Sequence, residues 1–217
     1  MPKAPGGCKT PPRPSRRGSS AISPGSASSI CAPPGGKTAQ LAAAGAVVSA
    51  DDRSQRRLDR LISNLHRLEF SVEAITADAA VWQPRSQAAG VLLDAPCTAT
   101  GAIRRHPDVP HLKSPDDVAR LAVVQERLLH AAGAMVAPGG ALVYCTCSLE
   151  VEEGPHQIAK FLGTDARFRR RPIHLAEVGG LAELLTPEGD LRTLPSHFAE
   201  LEGIDGFYAA RLVRMPE

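Results

Sequence analysis

Apolar positions along this chain follow two rhythms. Leu58, Leu61, Leu65 and Leu68 recur at helical spacing and predict a helix over 53–68. Leu121, Val124, Leu128 and Leu129 predict another over 116–132, and further helices are read at 38–44, ended by Gly45, and at 152–162. Between them lie short compact runs, read as strands at 46–50, 72–77, 90–93, 141–145 and 207–213. Strands separated by helices predict an α/β protein with a mostly parallel sheet covered on both faces. In such sheets ligands sit at the carboxyl ends of the strands, here near Ala32, Asp52, Asp78, Asp94 and Cys145.

Residues 1–30 break this rhythm. They are rich in Pro, Gly, Ser and Arg, with no large apolar side chain before Ile22 and Ile30 apart from Met1, and are read as a disordered or irregular tail ahead of a domain over 31–217. No apolar run approaches the ~20 residues of a membrane span. The balance of 25 Lys+Arg against 23 Asp+Glu, a formal charge of +2, neither requires nor excludes a nucleic-acid partner. Five Cys, none in a C-x-x-C pair, argue against a disulfide framework and a structural zinc site, and fit a reduced cytoplasmic setting. With aromatics at 4%, the core is expected to rest on Leu, Val, Ile and Ala.

The strand ends carry the candidate chemistry. Gly35-Gly36 opens a helix, where backbone N–H groups can approach a ligand closely. Gly36-Lys37-Thr38 matches the end of a phosphate-binding P-loop, but Cys31 stands where that motif needs a glycine. Asp52 ends a strand and suits a ribose diol, though a helix cap is the plainer reading. Asp78 could accept from an adenine amino group, or simply shape a turn. Asp94-Ala-Pro-Cys97 and Tyr144-Cys145-Thr146-Cys147-Ser148 each place a cysteine at a strand end. Small buried hydrophobes explain such cysteines equally well, and a metal site lacks histidines at ligand spacing.

Taken together, Pro34-Gly-Gly-Lys37, Asp94-Ala-Pro-Cys97 and Thr146-Cys147-Ser148, in this order, resemble the RsmB/NOP/Sun family of RNA cytosine-5 methyltransferases. The likeness runs from about Cys31 to Arg214 and includes Arg105-His-Pro-Asp108, Pro138-Gly-Gly140 and Asp205-Gly-Phe207. It is greatest to the bacterial enzymes acting on small-subunit ribosomal RNA. The resemblance implies a Rossmann-like methyltransferase fold with a last antiparallel strand. It implies S-adenosylmethionine over Cys31, Ala32, Pro33, Pro34, Gly35, Gly36 and Lys37, with Asp52 at the ribose, Asp78 near the adenine and Asp94 beside both cofactor and base. It implies Cys147 as the nucleophile adding at carbon 6 of cytosine, Cys97 as the thiol that helps release product, and Asp94 as the group that holds the ring. No metal is implied. Cys145 stands where Ser is more usual and is read as a packing residue. The implied partner is RNA, in the first place rRNA, bound by a cytoplasmic monomer away from any membrane.

Arg53, Arg56, Arg57 and Arg60 fall on one helix face and, with Arg104-Arg105 and Arg169-Arg170-Arg171, offer phosphate contacts. A solvated face partly paired with Asp59 and Glu69 is the competing reading of the first group. The likeness also has a gap. Before the Gly turn the family places an apolar strand ending in a carboxylate, whereas 24–30 is Ser-rich, with Ser29 at the acidic position. The first strand is therefore expected to be degraded and the chain N-terminally truncated. Residues 1–30 read either as an out-of-frame translation rejoining near Ile30 or as a divergent tail. An inactive RNA-contacting fragment, and the same chemistry on tRNA, are the alternative functions.

Overall fold

The computed structural model describes the backbone of residues 27–31 and the chain from 35 to 216. Ala32, Pro33, Pro34, the side chain of Cys31 and most of the expected tail lie outside the described residues.

Eight strands form one sheet: β1 (Ala27–Cys31), β2 (Val47–Asp52), β3 (Glu73–Thr76), β4 (Ala88–Asp94), β5 (Val136–Thr146), β6 (Phe168–Arg170), β7 (Leu191–Thr193) and β8 (Phe207–Arg214). Their order is β3-β2-β1-β4-β5-β8-β6, with β7 also paired to β8. The pairs from β3 to β5 are parallel, and β8 runs antiparallel to β5, as expected. The helices are α1 (Gly36–Ala43), α2 (Gln55–Arg67), α3 (Val109–Leu112), α4 (Pro115–Met135) and α5 (Pro155–Thr164).

The irregular stretch expected through residue 30 is corrected at its end. Ala27–Cys31 is a strand, in register with β2 on one side (Cys31 opposite Asp51) and β4 on the other (Cys31 opposite Leu93). Its sequence is a poor strand former, but two neighbours satisfy both of its backbone edges, and that context outweighs propensity.

Local signals place the helices. Gly45, at φ 85°, adopts the left-handed turn that ends α1. Ser114 and Asp117 form a capping box and Pro115 takes the first helical position of α4. The buried face of α4 is Gln125, Leu129, Ala132 and Met135, one step around from the expected stripe. Val124 and Leu128, which belong to that stripe, line a cavity instead. The main core joins α4 and α5 to β4, β5 and β8. The core rests mainly on Leu, Val, Ile and Ala as expected, and Tyr144, Tyr208, Phe161 and Phe168 join it as some of its largest fully buried side chains.

Candidate active site at the strand ends

The parallel sheet ends in a cavity of about 250 Å³. Asp52 at the end of β2, Asp94 at the end of β4 and Asp78 just beyond β3 all line it, so three carboxylates separated in sequence meet at one site. Leu93, Pro96 and Leu128 supply apolar wall.

Asp52 is nearly buried, and its Oδ1 accepts from Ser54 N at 2.7 Å and from Arg57 at 2.7 and 3.1 Å. It therefore shapes the turn that leads into α2 while lining the cavity. The adjacent Asp51, 2% exposed, lines the same cavity and stands opposite Cys31 in the β1–β2 register. Sequence reading missed it because its alternation along the strand could not be fixed beside a second aspartate. Asp78 accepts from Ala80 N at 3.0 Å and from Arg53 at 2.7 Å, and the Ala80 amide followed by Arg53 holds its carboxyl below the usual range. The expected arginine stripe is thus divided. Arg53 and Arg57 turn to cavity carboxylates, while Arg56 and Arg60 face a shallow groove with Ser63 and Asn64. Asp59, expected as an arginine partner, accepts from Gln55 at 2.8 Å.

Asp94 joins two motifs. Lys37, from the first turn of α1, forms an ion pair with its Oδ2, and the Cys145 thiol donates to Oδ1 at 3.5 Å. The ammonium of Lys37 also lies 5.6 Å from the Phe207 ring centroid. Cys145 is therefore more than a packing residue. Burial pushes its thiol well above the ordinary range, so it acts as a neutral donor to a carboxylate that has Lys37 on the other side.

Just past these strand ends, the Sγ atoms of Cys97 and Cys147 lie 3.5 Å apart. The Cys147 S–H lowers Cys97 to about 7, and the same contact raises Cys147 well above the usual thiol range. The pair therefore gives up one proton readily and holds the other. A strand continuing straight would put Cys145 and Cys147 on one face. β5 ends at Thr146, and the chain then turns Cys147 toward Cys97 while Cys145 stays beneath Asp94.

Backbone contacts lace the two cysteine segments together. Ala95 N donates to Cys145 O at 2.9 Å, Gly101 N to Cys147 O at 2.9 Å, and Gly206 N to Gly101 O at 2.8 Å. A Cβ on Gly101 would stand 2.1 Å from the Gly206 oxygen, so no other residue fits without displacement. The Thr100 hydroxyl accepts from Leu149 N at 2.9 Å and lies 3.2 Å from the Ser148 hydroxyl. Below this lattice sits Glu153, fully buried, which accepts from Thr98 N at 3.0 Å and Gln125 Nε2 at 3.0 Å. Glu153 gave no usable sequence signal, because it looks like an exposed helix residue.

The other basic positions are divided in the same way. Arg104 and Arg105 pair with Asp205 beside the Gly101–Gly206 contact. Arg170 turns inward to Asp190, while Arg169 and Arg171 are exposed. Among the described residues no helix is long and apolar enough to cross a membrane, and no group of three His, Cys, Asp or Glu is arranged to hold a metal.

The chain is 40% identical over 190 residues to Ribosomal RNA small subunit methyltransferase B of Erwinia tasmaniensis, covering 85% of this chain and 41% of that protein. It is 44% identical over 137 residues to the protein of the same name from Vibrio cholerae, covering 61% of this chain and 32% of the other. The chain thus spans less than half the length of these relatives. Among solved structures, NSun6 from Pyrococcus horikoshii with SFG superposes with a TM-score of 0.73 at 25% identity, covering 88% of this chain and 48% of the other. A methyltransferase homologue from the same organism gives 0.69 at 28% identity, with 88% and 62% covered. These neighbours carry the Rossmann-like methyltransferase fold expected from the sequence. A family model, 16S rRNA methyltransferase RsmB/F, matches residues 27–213, and the chain belongs to that family.

Proposed function

We propose that this chain transfers a methyl group from S-adenosylmethionine to carbon 5 of a cytosine in ribosomal RNA, through a covalent adduct on Cys147. The observation that carries the proposal is the meeting of two thiols 3.5 Å apart beside the Lys37–Asp94 ion pair. The relatives' names, which specify ribosomal RNA, and the neighbour solved with SFG support the substrate and cofactor classes.

The cavity suits the cofactor. Asp51 and Asp52 offer acceptors for ribose hydroxyls at the end of β2, Asp78 offers one for an adenine amino group, and Leu93, Pro96 and Leu128 offer apolar walls. Arg53 and Arg57 are tied to Asp78 and Asp52, which fits a ligand without phosphates. Gly35, Gly36 and Lys37, at the start of α1, are the described part of the cofactor segment that the family resemblance implies. When bound, S-adenosylmethionine supplies an electrophilic methyl on a sulfonium.

Carbon 5 of cytosine is a poor nucleophile. Cys147 passes its proton to the Cys97 thiolate, which releases it to solvent, and the Cys147 sulfur adds at carbon 6; a C–S bond forms as the 5,6 π bond breaks, and carbon 5 becomes enamine-like. Asp94, fixed by Lys37 and Cys145, holds the ring nitrogen side as charge develops. After methylation, Cys97 is near enough to Cys147 to accept the carbon-5 proton. The C–H electrons then form the 5,6 double bond and the C–S pair returns to Cys147. An unstacked cytosine is required, so a single-stranded or flipped target fits.

Saturable one-to-one binding of S-adenosylmethionine by calorimetry, with label incorporated into ribosomal RNA and far less into tRNA, is expected. A folded chain that binds no cofactor would overturn the proposal in favour of an RNA-contacting fragment.

A further inference from the structure

Glu153 is a carboxylate with 0% exposure, in a helical turn (Val151–Glu153) that follows Cys147. A buried charge is costly unless it is fully partnered, and such groups tend to remain where they fix one arrangement among several. Its partners all come from other segments. Thr98 N reaches both carboxylate oxygens, at 3.0 and 3.2 Å, and the Thr98 hydroxyl donates to Oε2. Gln125 Nε2, from α4, donates to Oε1 at 3.0 Å and to the Pro96 carbonyl at 2.8 Å. The Glu153 carbonyl accepts from the Tyr144 hydroxyl at 2.6 Å, which ties the turn to β5.

These contacts fall on the two residues flanking Cys97. The Pro96 carbonyl is held by Gln125 and the Thr98 amide by Glu153, so the peptide groups on both sides of Cys97 are fixed. Cys97 has little freedom left except the rotation that aims its sulfur at Cys147. The hydroxyl lattice of Thr98, Thr100 and Ser148 supports the same alignment from the Cys147 side, with oxygen separations of 3.4 and 3.2 Å.

We propose that Glu153, acting with Gln125, is a positioning residue: its buried carboxylate clamps the Pro96–Thr98 segment so that the Cys97 thiol stays in hydrogen-bond contact with Cys147. The inference deepens the proposed chemistry and rests on the roles given there to the two thiols, but its test needs neither cofactor nor RNA.

Glu153→Gln keeps the shape and puts an NH₂ where the neighbours are donors. An oxygen in the Oε1 place still accepts from the Thr98 and Gln125 amides, but the NH₂ in the Oε2 place faces the Thr98 amide and takes away the acceptor of the Thr98 hydroxyl, so the segment loses part of its hold and shifts. Alkylation of Cys97 by iodoacetamide across pH, resolved by peptide mass spectrometry, reads the consequence. In the unaltered chain the Cys97 rate is expected to reach half its maximum near pH 7. In Glu153→Gln it should move toward the pH of an ordinary thiol, about 8.5, lowering the rate at pH 7 roughly tenfold. Thr98→Val, which removes only the hydroxyl contact, should shift it the same way by less. It decides the question if Glu153→Gln does not fold. Cys97 titrating as in the unaltered chain in a folded Glu153→Gln protein would overturn the proposal, even if that protein melts earlier, because a purely structural tie predicts that outcome. So would an unchanged curve in Thr98→Val if only that variant folds.

Discussion

The sulfur atoms of Cys97 and Cys147, 50 residues apart in sequence, lie 3.5 Å from each other at the ends of adjacent strands. Asp94 opposite Cys145 in the β4–β5 register brings the two segments level, and the Gly101–Cys147 backbone bond closes the gap. The S–H of Cys147 lowers Cys97 to about 7, so thiolate is expected on Cys97 at neutral pH and is lost as pH falls through that value. Removing the donor in Cys147→Ala should raise Cys97 and move its alkylation curve to higher pH. An unshifted curve would mean that the other groups around Cys97 set its acidity.

Gly101 is where the loop after Cys97 touches Gly206, just before β8, and added volume has nowhere to go. Gly101→Ala would meet the Gly206 oxygen at 2.1 Å and the Cys147 oxygen at 2.8 Å. The expected loss is about 1–3 kcal/mol of stability, the usual result of overpacking. Because the displaced atoms belong to the Cys147 backbone, methyl transfer should fall by more than the stability loss explains. Thermal melting and activity at a temperature where the variant is folded check both parts.

The outer edge of the sheet depends on a buried polar knot. Asp190, with its side chain 3% exposed, pairs with Arg170 and accepts from the Tyr208 hydroxyl at 2.5 Å. Asp190→Asn leaves the guanidinium without its counter-charge, a change that costs about 3 kcal/mol in comparable buried pairs. For a chain of this size that corresponds to a melting point lower by about 6–12 °C. Tyr208→Phe, which removes one hydrogen bond, should cost about 1 kcal/mol. Differential scanning fluorimetry separates the two.

Glu177 sets an acid limit. Arg211 holds it through two bonds of 2.8 and 2.9 Å, and that contact lowers its carboxyl to about 2 from 4.5. A depressed carboxyl contributes stability that is present above its unfolded value and is lost as pH falls toward the folded one. The contribution should therefore fade between about pH 4.5 and 2. Because the Glu177 side chain is partly exposed, its share is about 1–2 kcal/mol. Glu177→Gln should lower stability at pH 7 and flatten the acid limb between those values. Denaturant melts at pH 7, 4 and 3 give the comparison.

The long periodic helices and the strand ends were legible in the sequence because their signals are local. Leu58, Leu61 and Leu65 bury together as their spacing requires. Asp52, Asp78 and Asp94 line one cavity because a parallel sheet gathers its carboxyl ends. What was not legible depends on distant partners. β1 is set by its two neighbours and not by its Ser-rich composition, and three-residue β6 and β7 exist only as additions to β8. Glu153 resembles a surface residue until the fold encloses it. Cys145 could be placed on a strand, but its contact with Asp94 could not be foreseen, because the bend after Thr146 is not encoded by periodicity.

The most direct test follows the covalent bond. The chain, its Cys97→Ala variant and its Cys147→Ala variant are incubated with ribosomal RNA and methyl-labelled S-adenosylmethionine, then denatured and separated by size. The account predicts methylated RNA from the unaltered chain and a denaturant-resistant protein–RNA adduct accumulating in Cys97→Ala. Cys147→Ala should give neither adduct nor product, with cofactor affinity nearly unchanged. Methylation undiminished in Cys147→Ala, or an adduct mapping to Cys97, would contradict it.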